Sequence, residues 1–299
     1  MKIIVTGGAG FIGSNIAREL EKQHNVVVLD DFTHTKKENL ENFSGDVIKA
    51  DITSFEWNSV SDVDVIFHEA AITDTTIQTN RVIDVNFSAF KTLLACAIKN
   101  NTDVIYASSA AVYGNGNVPM REDQKLSPNN IYGKSKMMMD VYAQDIMKKQ
   151  KIKIIGLRYF NVFGPGEQFK GSSANMVYQI YCQMLQGNPR LFKFGEQKRD
   201  FVYIKDVMHA NILALRSKAS GIFNVGTGTA TSFNAIVDII NTTLETHRTP
   251  EYFDNPFRFT QDETCADLTR VRDVLGYEPR YTTQQGIEEY VGVLQKKFS

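Results

Sequence analysis

The stretch "KIIVTGGAGFIGSNIA", residues 2–17, limits the fold more than any other part of the chain. A short apolar run meets glycines at positions 7, 10 and 13, and a helix-forming segment follows. Gly7 permits a tight turn. Gly10 lets backbone come close to a pyrophosphate, and Gly13 lets helix and strand pack closely, with the helix N-terminus facing the phosphates. An acid, Asp30, ends the next apolar run, "NVVVLD", 17 residues after Gly13. Glycines alone are a weak signal. Between a strand and a helix, with an acid at the end of the second strand, they predict a dinucleotide site.

Asp30 can accept hydrogen bonds from both hydroxyls of an adenosine ribose and repels a 2′-phosphate, which predicts NAD rather than NADP. Lys36 and Lys37 follow in a loop and can neutralise such a phosphate, so NADP stays open as the alternative.

Apolar, β-branched runs recur at 25–30, 46–51, 62–69, 102–108 and 153–160, separated by segments such as "VNFSAFKTLLACAIKN" that suit helices. Strands alternating with helices predict an α/β fold with a doubly wound parallel sheet of the Rossmann type, covered on both faces. The rhythm breaks after "FGPG" at 163–166. The expected division is a dinucleotide-binding domain over 1–163, with a return segment near 200–222. A smaller α/β C-terminal substrate lobe would take 164–199 and 223–299.

With 299 residues, 42% of them hydrophobic, the chain can bury a large core. A net charge of -1 gives no general attraction to nucleic acid or an anionic membrane, so any phosphate binding must be local. Cys96, Cys182 and Cys265 are scattered, with neither a disulfide framework nor metal-ligand spacing, and no metal site is expected. No apolar run approaches a membrane span, and glycines end the first apolar run after three residues, unlike a signal peptide. A cytoplasmic location is expected.

"NIYGKSK", residues 130–136, places Tyr132 and Lys136 four residues apart at the start of a segment rich in helix formers. On a helix the two share a face. Such a pair is common on solvated surfaces. Here it can instead make an acid/base, because a neighbouring cation lowers an acid's pKa by about 1–3 units and a free phenol titrates near about 10. The fifth apolar run ends in "YASSAAVYG", so Ser109 comes to a strand end 23 residues before Tyr132. A serine can hold a substrate alcohol, a tyrosinate can take its proton, and a lysine can hold the cofactor ribose.

The glycine pattern, Ser109 and Tyr132-x-x-x-Lys136 resemble the extended short-chain dehydrogenase/reductases. Within them "FHEAA", "RYFNVFGPGE", "QKRDFVYIKDV" and "GIFNVGTG" are similar to nucleotide-sugar epimerases along nearly the whole chain. "FKGSSA", "PRLF", "KRDFVY" and "SFNAIV" resemble most the ADP-heptose 6-epimerases. The resemblance implies a tightly bound cofactor, one per subunit, a nucleotide-sugar substrate and a homo-oligomer. It places Phe11 and Ile12 with the glycine turn, and Asp30, Asp31 and one of Lys36 or Lys37 near the adenosine ribose. Asp51 and Ile52 would lie by the adenine, with Glu69, Ala70, Ala71, Thr73 and Asn86 along the cofactor. Substrate contacts would come from Asn161, Val162, Ser172, Phe192 and Arg199, and from Gln179, which stands where some members have histidine.

Lys170, in "FKGSSA", matches the second acid/base of the heptose epimerases. Their C6 is exocyclic. Oxidation there gives an aldehyde whose rotation carries the oxygen away from Tyr132, so a second proton donor is useful. The family also carries a tyrosine near "RFTQDETCAD", where this chain has Phe259 or Thr260. A UDP-sugar 4-epimerase would share Ser109, Tyr132 and Lys136. A 4,6-dehydratase would need an Asp-Glu pair where Ala110 and Ala111 stand. A cofactor-sensing protein without activity is the third rival, and such proteins often lose the tyrosine or the lysine.

Overall fold

A computed structural model describes residues 1–59, 61–254 and 261–298. Seven strands form the main sheet, all parallel: β1 (Lys2–Thr6), β2 (Asn25–Asp30), β3 (Asp46–Lys49), β4 (Val65–His68), β5 (Asp103–Ser109), β6 (Ile154–Tyr159) and a late strand, Gly221–Val225. The helices are α1 (Phe11–Leu20), α2 (Asn80–Ile83), α3 (Ala89–Asn100), α4 (Ile131–Met147), α5 (Met176–Gln186), α6 (Ile204–Arg216), α7 (Phe233–Leu244), α8 (Thr269–Leu275) and α9 (Thr283–Phe298). The remaining strands are β7 (Asn161–Phe163), β8 (Arg190–Phe192), β9 (Lys198–Tyr203), β11 (Ala230–Ser232) and β12 (Glu251–Phe253), which makes the late strand β10.

The sheet runs in the order β10-β6-β5-β4-β1-β2-β3. After β3 the chain returns to the other side of β1, so the order reverses between β1 and β4. A crevice opens at the carboxyl ends of the strands at such a reversal, and ligands bind there.

Apart from the edge strand β3, both sheet faces are buried, which explains why these strands read as unbroken apolar runs. Successive residues go to opposite faces. Ile3, Val5, Val26 and Val28 pack with Ile16 and Leu20 of α1 and Val207 and Ala210 of α6. Ile4, Val27 and Leu29 pack on the other side with Phe90, Leu93 and Leu94 of α3 and Met139 and Ala143 of α4. The doubly wound sheet read from the sequence is therefore present.

The chain enters the smaller lobe at β7 and rejoins the main sheet at β10. In that lobe β9 pairs with β7 in parallel and with β11 antiparallel, while β8 pairs with β12. α7 packs against both α5 and α9 there. Among the described residues, no helix is long and apolar enough to cross a membrane.

Candidate active site

A cleft of about 540 Å³ runs from the β1 turn to the smaller lobe. Gly7, at its floor, has φ +64, and a Cβ there would lie 2.6 Å from the Ala70 nitrogen. A Cβ on Gly13 would lie 2.2 Å from the Gly7 carbonyl oxygen. Any side chain at either position would force the turn apart from β4 or α1. α1 begins after Gly10 with no side-chain cap on its first N–H groups. Uncapped donors at a helix start, on the wall of a cleft, suit a pyrophosphate. Phe11, Ile12, Asp51, Ile52, Ala70, Ala71 and Thr73 also line the cleft.

Asp30 ends β2 at 5% exposure. Its Oδ2 accepts from the Ala9 N–H at 3.0 Å, and its Oδ1 accepts from the Phe32 N–H at 2.9 Å and the Thr35 hydroxyl at 2.7 Å. The carboxylate thus braces the glycine turn as well as facing the cleft. Asp31 lines the cleft and accepts from the Thr33 N–H. Lys36 and Lys37 are exposed and do not line it; His34 and Thr35 take that wall.

Asn86 does not line the cleft either. It sits in a single π turn, Asp84–Ser88, between α2 and α3. Its amide accepts from Ile72 N–H at 2.8 Å, and donates to the Ile72 carbonyl at 3.0 Å and the Ser135 hydroxyl at 2.9 Å. It fastens the loop after β4 to α4. Wide turns of this kind often sit at functional sites, and no apolar period marks one.

Tyr132 and Lys136 share a face of α4, whose start is capped by Asn130 accepting from the Gly133 N–H at 2.7 Å. Tyr132 shares a side-chain hydrogen bond with Ser109. The Ser109 hydroxyl also accepts from the Ala111 N–H at 3.1 Å. Lys136 is 1% exposed and donates to the Ala107 carbonyl at 2.7 Å. Its ammonium lies 6.0 Å from the centre of the Tyr132 ring.

One expectation needs correcting. Lys136 does not bring the Tyr132 phenol down in this structure. Burial raises the phenol above its ordinary value, the Ser109 hydrogen bond opposes this, and the Glu69 charge adds to it. Burial pushes Lys136 down to about 8 against the attraction of Glu69 and Asp140. The ammonium is directed at the Ala107 carbonyl, and Glu69 and Asp140 act on it by charge alone.

Glu69 lines the cleft beside this pair. Burial pushes its carboxyl up to about 7, and Lys136 and the Tyr159 hydrogen bond hold it from rising further. The Tyr159 hydroxyl donates to Glu69 at 3.1 Å and receives the Asn211 amide at 2.9 Å. Below Lys136, Asp140 accepts from Arg158 at 2.8 Å and from the Tyr106 hydroxyl at 3.0 Å, all buried.

At the other end, Asn161, Val162 and Lys170 line the cleft. Burial lowers the Lys170 pKa, and Glu167 opposes this. Ser172 belongs to the same turn, but its side chain lies outside the described part, as do residues 259 and 260. Three expected substrate residues do not reach the cleft. Gln179 donates to the Ala174 carbonyl at 2.7 Å. Phe192 packs edge-on against Phe233 and Phe253. Arg199 turns inward, donating to the carbonyls of Gln261 at 2.6 Å, Lys198 at 2.9 Å and Asp262 at 3.2 Å. Sequence reasoning missed Tyr159, Phe160, Phe169, Asn175 and Gln261, which line the cleft. "RYFN", the end of β6, was the available signal for the first two.

Comparison with known proteins agrees with this geometry. Residues 3–226 match the NAD dependent epimerase/dehydratase family. The ADP-L-glycero-D-manno-heptose-6-epimerase of Helicobacter pylori is 39% identical, with a TM-score of 0.92 over 98% of this chain and 96% of that one. The UDP-glucose 4-epimerase of Thermotoga maritima, solved with UDP-glucose, is 29% identical, with a TM-score of 0.93 over 100% of both chains. A UDP-glucuronic acid 4-epimerase from Bacillus cereus, solved with its sugar nucleotide and NAD, is 27% identical, with a TM-score of 0.89 over 99% of this chain and 100% of that one. Matched through the sheet and superposing along its length on solved epimerases, the chain belongs to the NAD-dependent epimerase/dehydratase family.

Proposed function

We propose that this NAD-dependent nucleotide-sugar epimerase inverts C6 of ADP-D-glycero-D-manno-heptose. The observation that carries the reading is that Lys170 and Tyr132, on separate elements, line one cleft. A 4-epimerase turns a whole sugar ring and can use one tyrosine for both faces. An exocyclic aldehyde moves its oxygen instead, and two acid/base groups serve it better.

The cofactor assigned here is NAD, tightly bound, one per subunit. The uncapped start of α1 would hold its pyrophosphate, Asp30 and Asp31 its adenosine ribose, and Lys136 the second ribose. When bound, it would accept a hydride from C6 and return it to the opposite face. Ser109 holds the C6 alcohol. Tyr132 or Lys170 removes the alcohol proton, according to the epimer, and the other delivers one after rotation about C5–C6. The Ser109 hydrogen bond favours the phenolate against burial. Residues 1–163 with the return segment form the cofactor lobe on this reading, and 164–199 with 223–299 the sugar-nucleotide lobe. The enzyme would work in the cytoplasm as a homo-oligomer.

The 4-epimerase reading keeps a specific footing, because the UDP-glucose 4-epimerase superposes as well as the heptose enzyme does. Incubation with ADP- and UDP-sugars, read by NMR at the changed stereocentre, separates the two. Inversion at C6 of the heptose, with deuterium at C6 retained and none entering carbon from solvent, is the expected result. Inversion of UDP-galactose at C4 with no action on the heptose would hand the assignment to the 4-epimerase. Loss of the C6 label would point to carbon-acid chemistry.

A further inference from the structure

Glu167 is fully buried, although its turn, Glu167–Ser173, borders the cleft. Its Oε1 accepts from the Gly164 N–H at 3.1 Å and its Oε2 from the Asn175 N–H at 2.8 Å. These are the two ends of the segment that carries Lys170, so one carboxylate closes that segment into a ring. Asn175 extends the fastening. Its amide donates to the Val162 carbonyl at 3.0 Å, and its oxygen caps α5 by accepting from the Val177 N–H at 3.0 Å. The turn is thereby tied to β7 on one side and α5 on the other.

A side-chain amide has one acceptor oxygen, whereas a carboxylate accepts at both. Gln at 167 would hold one end of the ring and present a donor to the other. Burial pushes the Glu167 carboxyl up to about 7 against its two N–H donors and Lys170, so its charge opposes the desolvation of Lys170 once pH rises past that value. The other titratable groups facing Glu167 are Tyr178 of α5 and Tyr290 of α9, and burial raises both phenols, leaving them neutral at working pH. Lys170 is thus the cation whose charge acts on this carboxylate.

We propose that Glu167 is the positioning residue for Lys170, closing the lysine-bearing turn and holding it at the cleft. The inference rests on Lys170 being the second acid/base.

The test compares wild type, Glu167→Gln, Glu167→Asp and Lys170→Ala as full-length proteins with cofactor bound. Glu167→Gln should epimerise the ADP-heptose slower by on the order of 10-fold or more. The basic limb of its pH profile should move to lower pH, because the amine has lost its counter-charge. Stopped-flow reduction of the bound cofactor by each C6 epimer should be slowed with one epimer and near wild type with the other, since one direction begins at Lys170. Equal slowing with both epimers and an unmoved limb would make the carboxylate a purely structural staple and overturn the proposal. Wild-type rates in Glu167→Gln would overturn it too. Glu167→Asp guards against misfolding of the amide variant: it keeps the charge but is too short to reach both ends. Slow epimerisation with the limb in place supports the proposal, and a wild-type rate rejects it. Full activity of Lys170→Ala would remove the two-base reading and this inference with it. Inactive Lys170→Ala beside unaltered Glu167→Gln would remove only the role of Glu167.

Discussion

The ammonium of Lys136 lies 2.7 Å from the carbonyl oxygen of Ala107, two residues before the serine that meets Tyr132. Helix and strand match in step. Four residues of α4 rise about 6 Å, and two residues of β5 span about 6.6 Å. Tyr132 therefore faces Ser109 where Lys136 faces Ala107, with helix and strand running in opposite directions. The i,i+4 spacing of the sequence is the helical counterpart of an i,i+2 spacing on the strand.

Tyr132→Phe keeps the ring and loses the hydroxyl. Turnover should fall by about 10²–10⁴-fold, while cofactor titration gives an unchanged affinity. Lys136→Met should weaken both, because the same ammonium ties α4 to β5 and faces the cleft. Wild-type turnover in the phenylalanine variant would remove Tyr132 from the chemistry.

Glu69 gives a pH signature in the cofactor-free protein. Its carboxyl titrates at about 7 in the fold, against an ordinary value of 4.5. Between those values the folded state keeps a proton that the unfolded state has released. The stability from this group is therefore present below about 4.5 and lost as pH rises through about 7. Melting temperatures of wild type and Glu69→Gln, measured against pH, should diverge across that window, with the wild type falling more steeply. Parallel curves would contradict the assignment.

Asp30→Ala should do two things at once. NAD affinity should drop and the preference over NADP should relax, read by titration with each cofactor. The buried Ala9 N–H would also lose its acceptor, at about 1–3 kcal/mol, so denaturant unfolding should show the loss even without cofactor. Unchanged NAD affinity would take Asp30 off the ribose.

Asp140 and Arg158 form a buried pair at 2.8 Å, each 1% exposed. Asp140→Ala leaves the guanidinium without its carboxylate and should cost about 3–5 kcal/mol in urea unfolding. Asp140→Leu with Arg158→Met should recover much of that loss. If the double variant is no better than the single one, the cost lies in packing rather than charge.

The parts of the site that depend on local pattern were legible in the sequence. Gly7, Gly13 and Asp30 follow from the geometry of one strand–turn–helix unit, and Tyr132 and Lys136 from helical spacing. Groups whose role depends on distant chain were not. Arg199 reads as a substrate contact until the chain around it is seen to offer three carbonyls. Asn86 reads as one more polar residue in a helix, because a wide turn leaves no trace in apolar periodicity. Lys36 and Lys37 have the right charge for a phosphate, but their turn points them to solvent. The partner that matters for Lys136 is a backbone oxygen, which residue identity does not encode.

Tyr132, Lys136 and Asp140 fall at i, i+4 and i+8 on α4, so one rod runs from the Tyr132 phenol to the Arg158 ion pair. Lys170 and its neighbours at the far end of the cleft sit elsewhere, on the turn fastened by Glu167. Division of labour of this kind has an evolutionary consequence. Insertions or exchanges around 164–175 can reshape what the cleft accepts without disturbing the rod. A single residue added within α4 between 132 and 140 would rotate part of the ladder by about 100°, and the chemistry would be lost for every substrate alike.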